Sequence, residues 1–242
     1  MHYTHLYSTR IQTTFDEDHS EILSVLRSAY KNDPKLELQL INYYRGLPVS
    51  YKAKIMGVEN NSLELDVNPH QAVAISDEHY TFIRCKLFKQ DIVAKAQSVS
   101  IKHKAVTLKQ LCYVEIMAER RNQIRLKVLP PIEASYMSTQ GSAQGKIIEL
   151  STAGTILTVD HCESIETGEE AMMNFTLPDA SQNTPCVVEV SAKLITIIDD
   201  IRPSRYIFSL MPDKLSEKHI AKFIFNRQIE IVRELKDGSD IR

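Results

Sequence analysis

Apolar positions follow a helical period at the two ends of the chain and a period of two between them. Near the N-terminus, Ile22, Val25, Leu26, Ala29 and Tyr30 fall at i, i+3, i+4, i+7 and i+8, one stripe of a helix. Asp16, Glu17 and Asp18 place negative charge where a helix N-terminus favours it. Asn32-Asp33-Pro34 ends the pattern, because the residue before a proline avoids helical dihedrals. The spacing therefore predicts a helix from Asp16 to Tyr30. At the other end Ile220, Phe223, Ile224, Ile231 and Leu235 form a second helical stripe, and Gly238 stands where a left-handed cap is expected.

Between the helices the chain reads as strands. Leu36–Ile41, Val49–Ile55, Ser62–Val67, Tyr80–Cys85 and Ala96–Ile101 are separated by turn signals at Arg45-Gly46-Leu47-Pro48, Glu59-Asn60-Asn61 and Asn68-Pro69. This spacing suggests a small antiparallel barrel or sandwich over residues 36 to 113. A second set follows: Ile124–Val128, Lys146–Leu150, Thr155–Val159, Ala171–Phe175, Val187–Ala192 and Arg205–Leu210. Its breaks are Pro130-Pro131, the Gly141/Gly145 loop and Pro178 to Pro185. The predicted order is helix, β-unit, β-unit, helix, and the class is mainly β. No Gly/Ser linker marks the junction near Cys112 to Glu119, so a short ordered segment is expected between domains 1–114 and 115–242. No repeat is periodic enough for a solenoid.

Composition narrows the function classes. A chain of 242 residues makes one large domain or two small ones. Twenty-nine Lys and Arg against 31 Asp and Glu give a net charge of −2, which argues against coating nucleic acid by bulk charge. Hydrophobic content of 43% with 25% charged residues is that of a globular protein and not of a disordered one. No apolar run reaches the ~18–20 residues of a membrane span, and the first residues lack a signal-peptide layout. Cys85, Cys112, Cys162 and Cys186 are scattered, with no C-x-x-C pair, and read as reduced thiols. Location in the cytoplasm is the expectation.

Most catalytic chemistry finds no pattern here. The eight histidines show no metal-ligand spacing, so no metal is expected. His161-Cys162 are neighbours on a predicted strand and point to opposite faces. Gly141-Ser-Ala-Gln-Gly145-Lys146 falls one residue short of a phosphate loop, and Ile147 replaces the magnesium-binding hydroxyl, so it is read as a turn. Aromatic content is 7% without tryptophan, and Tyr43-Tyr44 and Phe223/Phe225 read as core or barrel-rim residues more readily than as base-stacking platforms. No set of titratable groups marks an enzyme.

Two polar clusters remain. Glu119-Arg120-Arg121-Asn122-Gln123-Ile124-Arg125 is the densest cationic stretch and lies at the junction. Arginine can grip phosphate or a guanine edge with two parallel hydrogen bonds, and can stack on a base. Taken by itself the stretch is better explained as a solvated charged hinge. Glu149-Leu150-Ser151-Thr152-Ala153-Gly154 places an acid and a hydroxyl on one strand face, with a glycine that lets the chain turn back. Taken by itself it is an ordinary hairpin turn.

The pair, in this order and 24 positions apart from Arg125 to Glu149, resembles the PilZ domain, a family of bacterial receptors for cyclic di-GMP with R-x-x-x-R and [D/N]-x-S-x-x-G signatures. The run Ile147–Leu157, the closing strand Arg205–Leu210 and the helix around Phe223–Gln228 fit the same family, and the likeness spans roughly residues 115 to 236. By layout alone, the preceding β-unit is similar to the N-terminal barrel of flagellar-brake-type PilZ proteins. The resemblance implies two small antiparallel β-barrels, an N-terminal PilZN-like one and a C-terminal PilZ one. It also implies cyclic di-GMP as the ligand, bound at the interdomain hinge, with no cofactor and an unidentified effector protein as partner. Arg120, Arg121 and Arg125 would clamp phosphates and guanine edges, Glu149 and Ser151 would read a guanine, and Gly154 would shape the loop. The output would be motility, adhesion or biofilm. Glu149 departs from the family's Asp or Asn, and its extra methylene is expected to cost on the order of 1 kcal/mol of affinity, about one neutral hydrogen bond. A ligand-free PilZ-like adaptor acting through protein contacts is the alternative. The ligand count, one molecule or an intercalated pair, and the role of the N-terminal helix stay open.

Overall fold

The computed structural model describes residues 6–59, 61–139, 141–163, 165–178, 185–198 and 203–240, without the side chains of 160–163. The first half holds β1 (Ser8–Thr9), α1 (Phe15–Asn32), β2 (Glu37–Tyr44), β3 (Leu47–Glu59), β4 (Ser62–Asp66), α2 (Pro69–Glu78), β5 (Tyr80–Arg84), β6 (Asp91–Ser100) and β7 (Ala105–Glu115). A single 3-10 turn, Met117–Arg120, precedes β8 (Leu126–Met137), β9 (Ser142–Ser151), β10 (Gly154–Glu163), β11 (Glu170–Leu177), β12 (Cys186–Ile198), β13 (Arg205–Met211) and α3 (Lys214–Ser239). The chain divides into two compact units, Met1–Asn122 with Ile231–Arg242, and Gln123–Glu230.

In the first unit β7 pairs with β4 along one edge and β6 along the other, so the ring β7-β4-β3-β2-β5-β6 closes, and β1 extends the edge of β7. Strand alternation sorts the apolar residues into two layers. Leu38, Leu40, Ile83, Leu111 and Tyr113 join one cluster with Ile22, Leu23 and Leu26 of α1, while Ile41, Tyr43, Phe82, Cys112 and Val114 join another with Leu6, Ile116 and Ala118. Tyr43 and Tyr44 are core residues, as expected. Thr14 caps α1 by accepting the Glu17 N–H, and its hydroxyl donates back to the Glu17 carboxylate at 3.0 Å.

Two elements of this unit depart from the sequence reading. Asn68-Pro69, read as a turn, begins α2: the Asn68 side chain accepts the His70 N–H at 2.9 Å, and Pro69 occupies the first helical position, where its missing N–H is not needed. Strand β7 was not foreseen at all. Gln110 adopts φ +53 and interrupts the alternation, so Leu111 to Val114 are buried on both faces and read as a continuous apolar run.

The second unit is a closed six-stranded barrel, β10-β13-β12-β11-β8-β9. Tyr136 and Phe208 meet in its interior in a tilted arrangement, with ring centroids 4.8 Å apart, among Leu150, Leu157, Met173 and Leu194. Two expected breaks are corrected. Pro130-Pro131 lies inside β8, where the ladder to β9 jumps from Lys127–Glu149 to Ile132–Ile147. The turn before β9 is set by the Ser138 N–H donating to the Gly141 carbonyl at 2.9 Å, whereas Gly145 is buried within β9. A Cβ on Gly145 would lie 2.1 Å from the Thr158 carbonyl oxygen. Gly238 is no left-handed cap either. Helix α3 runs through it, and a Cβ there would come within 3.1 Å of Val73 Cγ1. Residues 179–184 of the Pro178–Pro185 break lie outside the described residues, as do the side chains of His161 and Cys162. Among the described residues no helix is long and apolar enough to cross a membrane.

Candidate ligand site

The acid–hydroxyl–glycine cluster sits where β9 passes into β10. Leu150 points into the barrel and is fully buried, so Glu149 and Ser151, on either side of it, share the opposite face. The ladder pairs Ser151 with Gly154, which leaves Thr152 and Ala153 as the turn. The Ser151 hydroxyl donates to the Gly154 carbonyl at 3.0 Å, Thr155 Oγ1 donates to the Glu149 carbonyl at 2.8 Å, and the Leu210 N–H reaches the Ala153 carbonyl at 2.9 Å. Gly154, expected to let the chain turn back, does so without a left-handed conformation. Its φ is ordinary, and glycine is favoured because a Cβ would press to 3.0 Å from the Phe208 carbonyl oxygen.

Register brings an arginine to this corner. β8 starts opposite the end of β9, with Leu126 paired to Leu150 and Lys127 to Glu149, so one step back Arg125 stands across from Ser151. The side chains agree. The point where a Gly154 Cβ would sit is 3.8 Å from Ser151 Oγ and 3.9 Å from Arg125 Nη2. Arg125, Ser151 and Gly154 are thus gathered in one place, and half-buried Glu149 is two residues away on the same strand. The Thr152 hydroxyl donates to Gln123 Oε1 and ties the approach of β8 to the hairpin tip. Nothing in the sequence pattern marks that pair, whose members are 29 positions apart.

Arg120 and Arg121 belong to the other unit, on the far side of the Asn122/Gln123 division. The turn that carries Arg120 is surrounded by ion pairs. Arg84 holds Asp91 through Nε and Nη2 at 2.8 and 2.7 Å and reaches Glu119 at 2.8 Å, and these carboxylates keep its guanidinium charged well beyond the ordinary range. Arg120 is exposed and pairs with Glu115, which also takes Arg10. Arg121 is half-buried, and its N–H reaches the Ala118 carbonyl at 3.3 Å.

Tyr43, beneath this network, has its hydroxyl pushed up to about 12, mainly by burial and then by the Glu119 charge, with Arg121 and Arg84 opposing. Unfolded tyrosine ionises near ~10. Between those values the unfolded chain has lost a proton that the folded chain keeps, so stability falls as pH rises through this window and is unaffected below it. Denaturant titrations across the window should show a shallower alkaline loss for Tyr43→Phe than for the parent. Identical slopes would mean that Tyr43 ionises in the fold as it does in water.

The corner sets a guanidinium beside the buried Ser151 hydroxyl and the buried Gly154, and a guanidinium can donate paired hydrogen bonds to an anionic or planar group. Among the described residues no group of three or more His, Cys, Asp or Glu could hold a metal ion. No family model matches the chain, and no curated protein does. Solved structures do. The chain is similar to PilZ-domain structures. Escherichia coli YcgR in complex with c-di-GMP is 15% identical, with 98% of each chain covered and a TM-score of 0.42. The PilZ domain of YcgR with c-di-GMP is 17% identical over 51% of this chain and 99% of that one, with a TM-score of 0.36. The Bacillus subtilis inhibitor of motility MotI/DgrA is 13% identical over 82% of this chain and 98% of that one, with a TM-score of 0.42.

Proposed function

We propose that this chain is a non-enzymatic receptor for cyclic di-GMP. The observation that carries the reading is the corner of the second barrel, where strand register sets Arg125 over Ser151 and Gly154 with Glu149 beside them. Cyclic di-GMP carries two phosphates and two guanines in a compact ring. Arg125 supplies paired donors to a phosphate or a guanine edge. Glu149 accepts from the amino and imino groups of a guanine, Ser151 adds a hydroxyl, and Gly154 shapes the loop. Arg120 and Arg121, five and four positions upstream of Arg125, complete the clamp from the other side of the unit division. A ligand held by residues of both units favours the arrangement in which they converge, and its differential affinity for that arrangement is what drives the change. The output is the altered engagement of a partner protein.

Isothermal calorimetry of the full chain with cyclic di-GMP tests the reading. Saturable heat is expected, and Ser151→Ala should cost less affinity than loss of an arginine. Glu149→Asp should bind about fivefold more tightly, because the shorter carboxylate reaches the base edge without folding back; the gain is about that of one neutral hydrogen bond. Heat indistinguishable from dilution would end the receptor reading and leave a ligand-free adaptor.

A further inference from the structure

We infer that Glu115 and Arg10 control how readily Arg120 reaches the ligand, an inference that rests on the receptor reading above. Glu115 ends β7 and is the register partner of Ser8, and just beyond, the Arg10 N–H donates to the Tyr113 carbonyl at 2.8 Å. The backbone ladder therefore fixes both residues relative to each other. Their side chains meet that of Arg120 in a three-membered cluster: Arg120 Nη2 sits on one carboxylate oxygen of Glu115 and Arg10 Nη2 on the other. One carboxylate thus serves two guanidiniums.

The consequence is an exchange. A guanidinium engaged by Glu115 has fewer N–H groups to offer a phosphate, so Glu115 competes with the ligand for Arg120. Arg10 weakens that competition, because when Arg120 turns to an incoming anion Glu115 keeps a counterion. Remove Arg10, and the whole of the Glu115 charge falls on Arg120. The other carboxylates nearby, Asp91 and Glu119, are held by Arg84 and do not substitute for Glu115. Arg10 and Glu115 are positioning residues, acting through Arg120 without touching the ligand. The cluster is exposed, with Arg120 at 63%, Arg10 at 50% and Glu115 at 29%, so the effects are those of surface ion pairs and weaken with salt.

Calorimetry with cyclic di-GMP at low and high salt, on the full chain, decides the matter. Arg10→Ala should weaken binding about two- to fivefold, Arg10→Lys should restore it, and Glu115→Gln should strengthen it by a similar factor. Each effect should shrink at high salt and vanish when Arg120→Ala is combined with it, with melting temperatures unchanged throughout. If the parent binds and the Arg10 and Glu115 variants bind identically, or if their effects survive in the Arg120→Ala background, the exchange is wrong and the receptor reading stands. If the parent does not bind, both fall together.

Discussion

Gly145→Ala is expected to destabilise the second barrel by about 3 kcal/mol or more, at or above the upper end of the usual ~1–3 kcal/mol cost of overpacking a core position. In a regular strand the same change is neutral or helpful, because glycine gives up the most chain entropy on folding. Here the sign reverses. The added methyl would stand 2.1 Å from the Thr158 carbonyl oxygen and 3.0 Å from Val159 Cα, both backbone atoms of β10, the neighbouring strand of the ladder. No rotamer can yield, so relief requires β9 and β10 to separate, which opens a closed barrel whose stability depends on having no free edge. Hydrogen exchange at β9 and β10 amides, read beside a denaturant melt, reports this unit apart from the other. A loss below ~1 kcal/mol would show that the two strands can part locally without cost to the barrel.

Arg125→Ala carries the largest expected effect on binding, about 1–3 kcal/mol of cyclic di-GMP affinity, the range for one bidentate contact. Arg121→Ala should fall in the same range. Arg125 is the arginine that register delivers to Ser151 and Gly154, so its loss removes the cation from the corner while the ladder, whose first pair is Leu126–Leu150, stays intact. Arg125→Lys should recover only part of the affinity, because an ammonium cannot reproduce the planar fork. Calorimetry on folded variants measures both. Parental affinity in Arg125→Ala would remove the corner of the second barrel from the proposed site.

What the sequence revealed depended on how regular each segment is. The period of two from Leu36 onward and again from Ile124 exposed both β-units, and the stripe of Ile22, Leu26 and Ala29 exposed α1. Irregular positions concealed the rest. The left-handed Gln110 hid β7, and an Asn-Pro pair that serves turns and helix starts alike hid α2. Gly145 and Gly238 looked like punctuation, yet each is required by a close neighbour distant in sequence, Thr158 and Val73. Residue types at the candidate site were legible, and so was their order. Their assembly was not, because the pairing of β8 with β9 skips residues at Pro130-Pro131, and spacing cannot reveal which residue faces which across such a skip. The Arg10–Glu115–Arg120 cluster was beyond any local pattern, since Arg10 and Glu115 lie 105 positions apart.

The first unit is drawn from both ends of the polypeptide, Met1–Asn122 and Ile231–Arg242, with the second unit's residues between them. On the ribosome, every strand of the second barrel therefore emerges before the last segment of the first. Until that segment arrives, Val73 lacks Gly238 against it and Arg45 lacks the Glu234 carboxylate that it meets at 2.8 Å. A fragment cut at Asn122 would retain the whole strand ring yet expose the α2 surface that the tail covers, so a faithful version of the first unit must be made by splicing the two ends together.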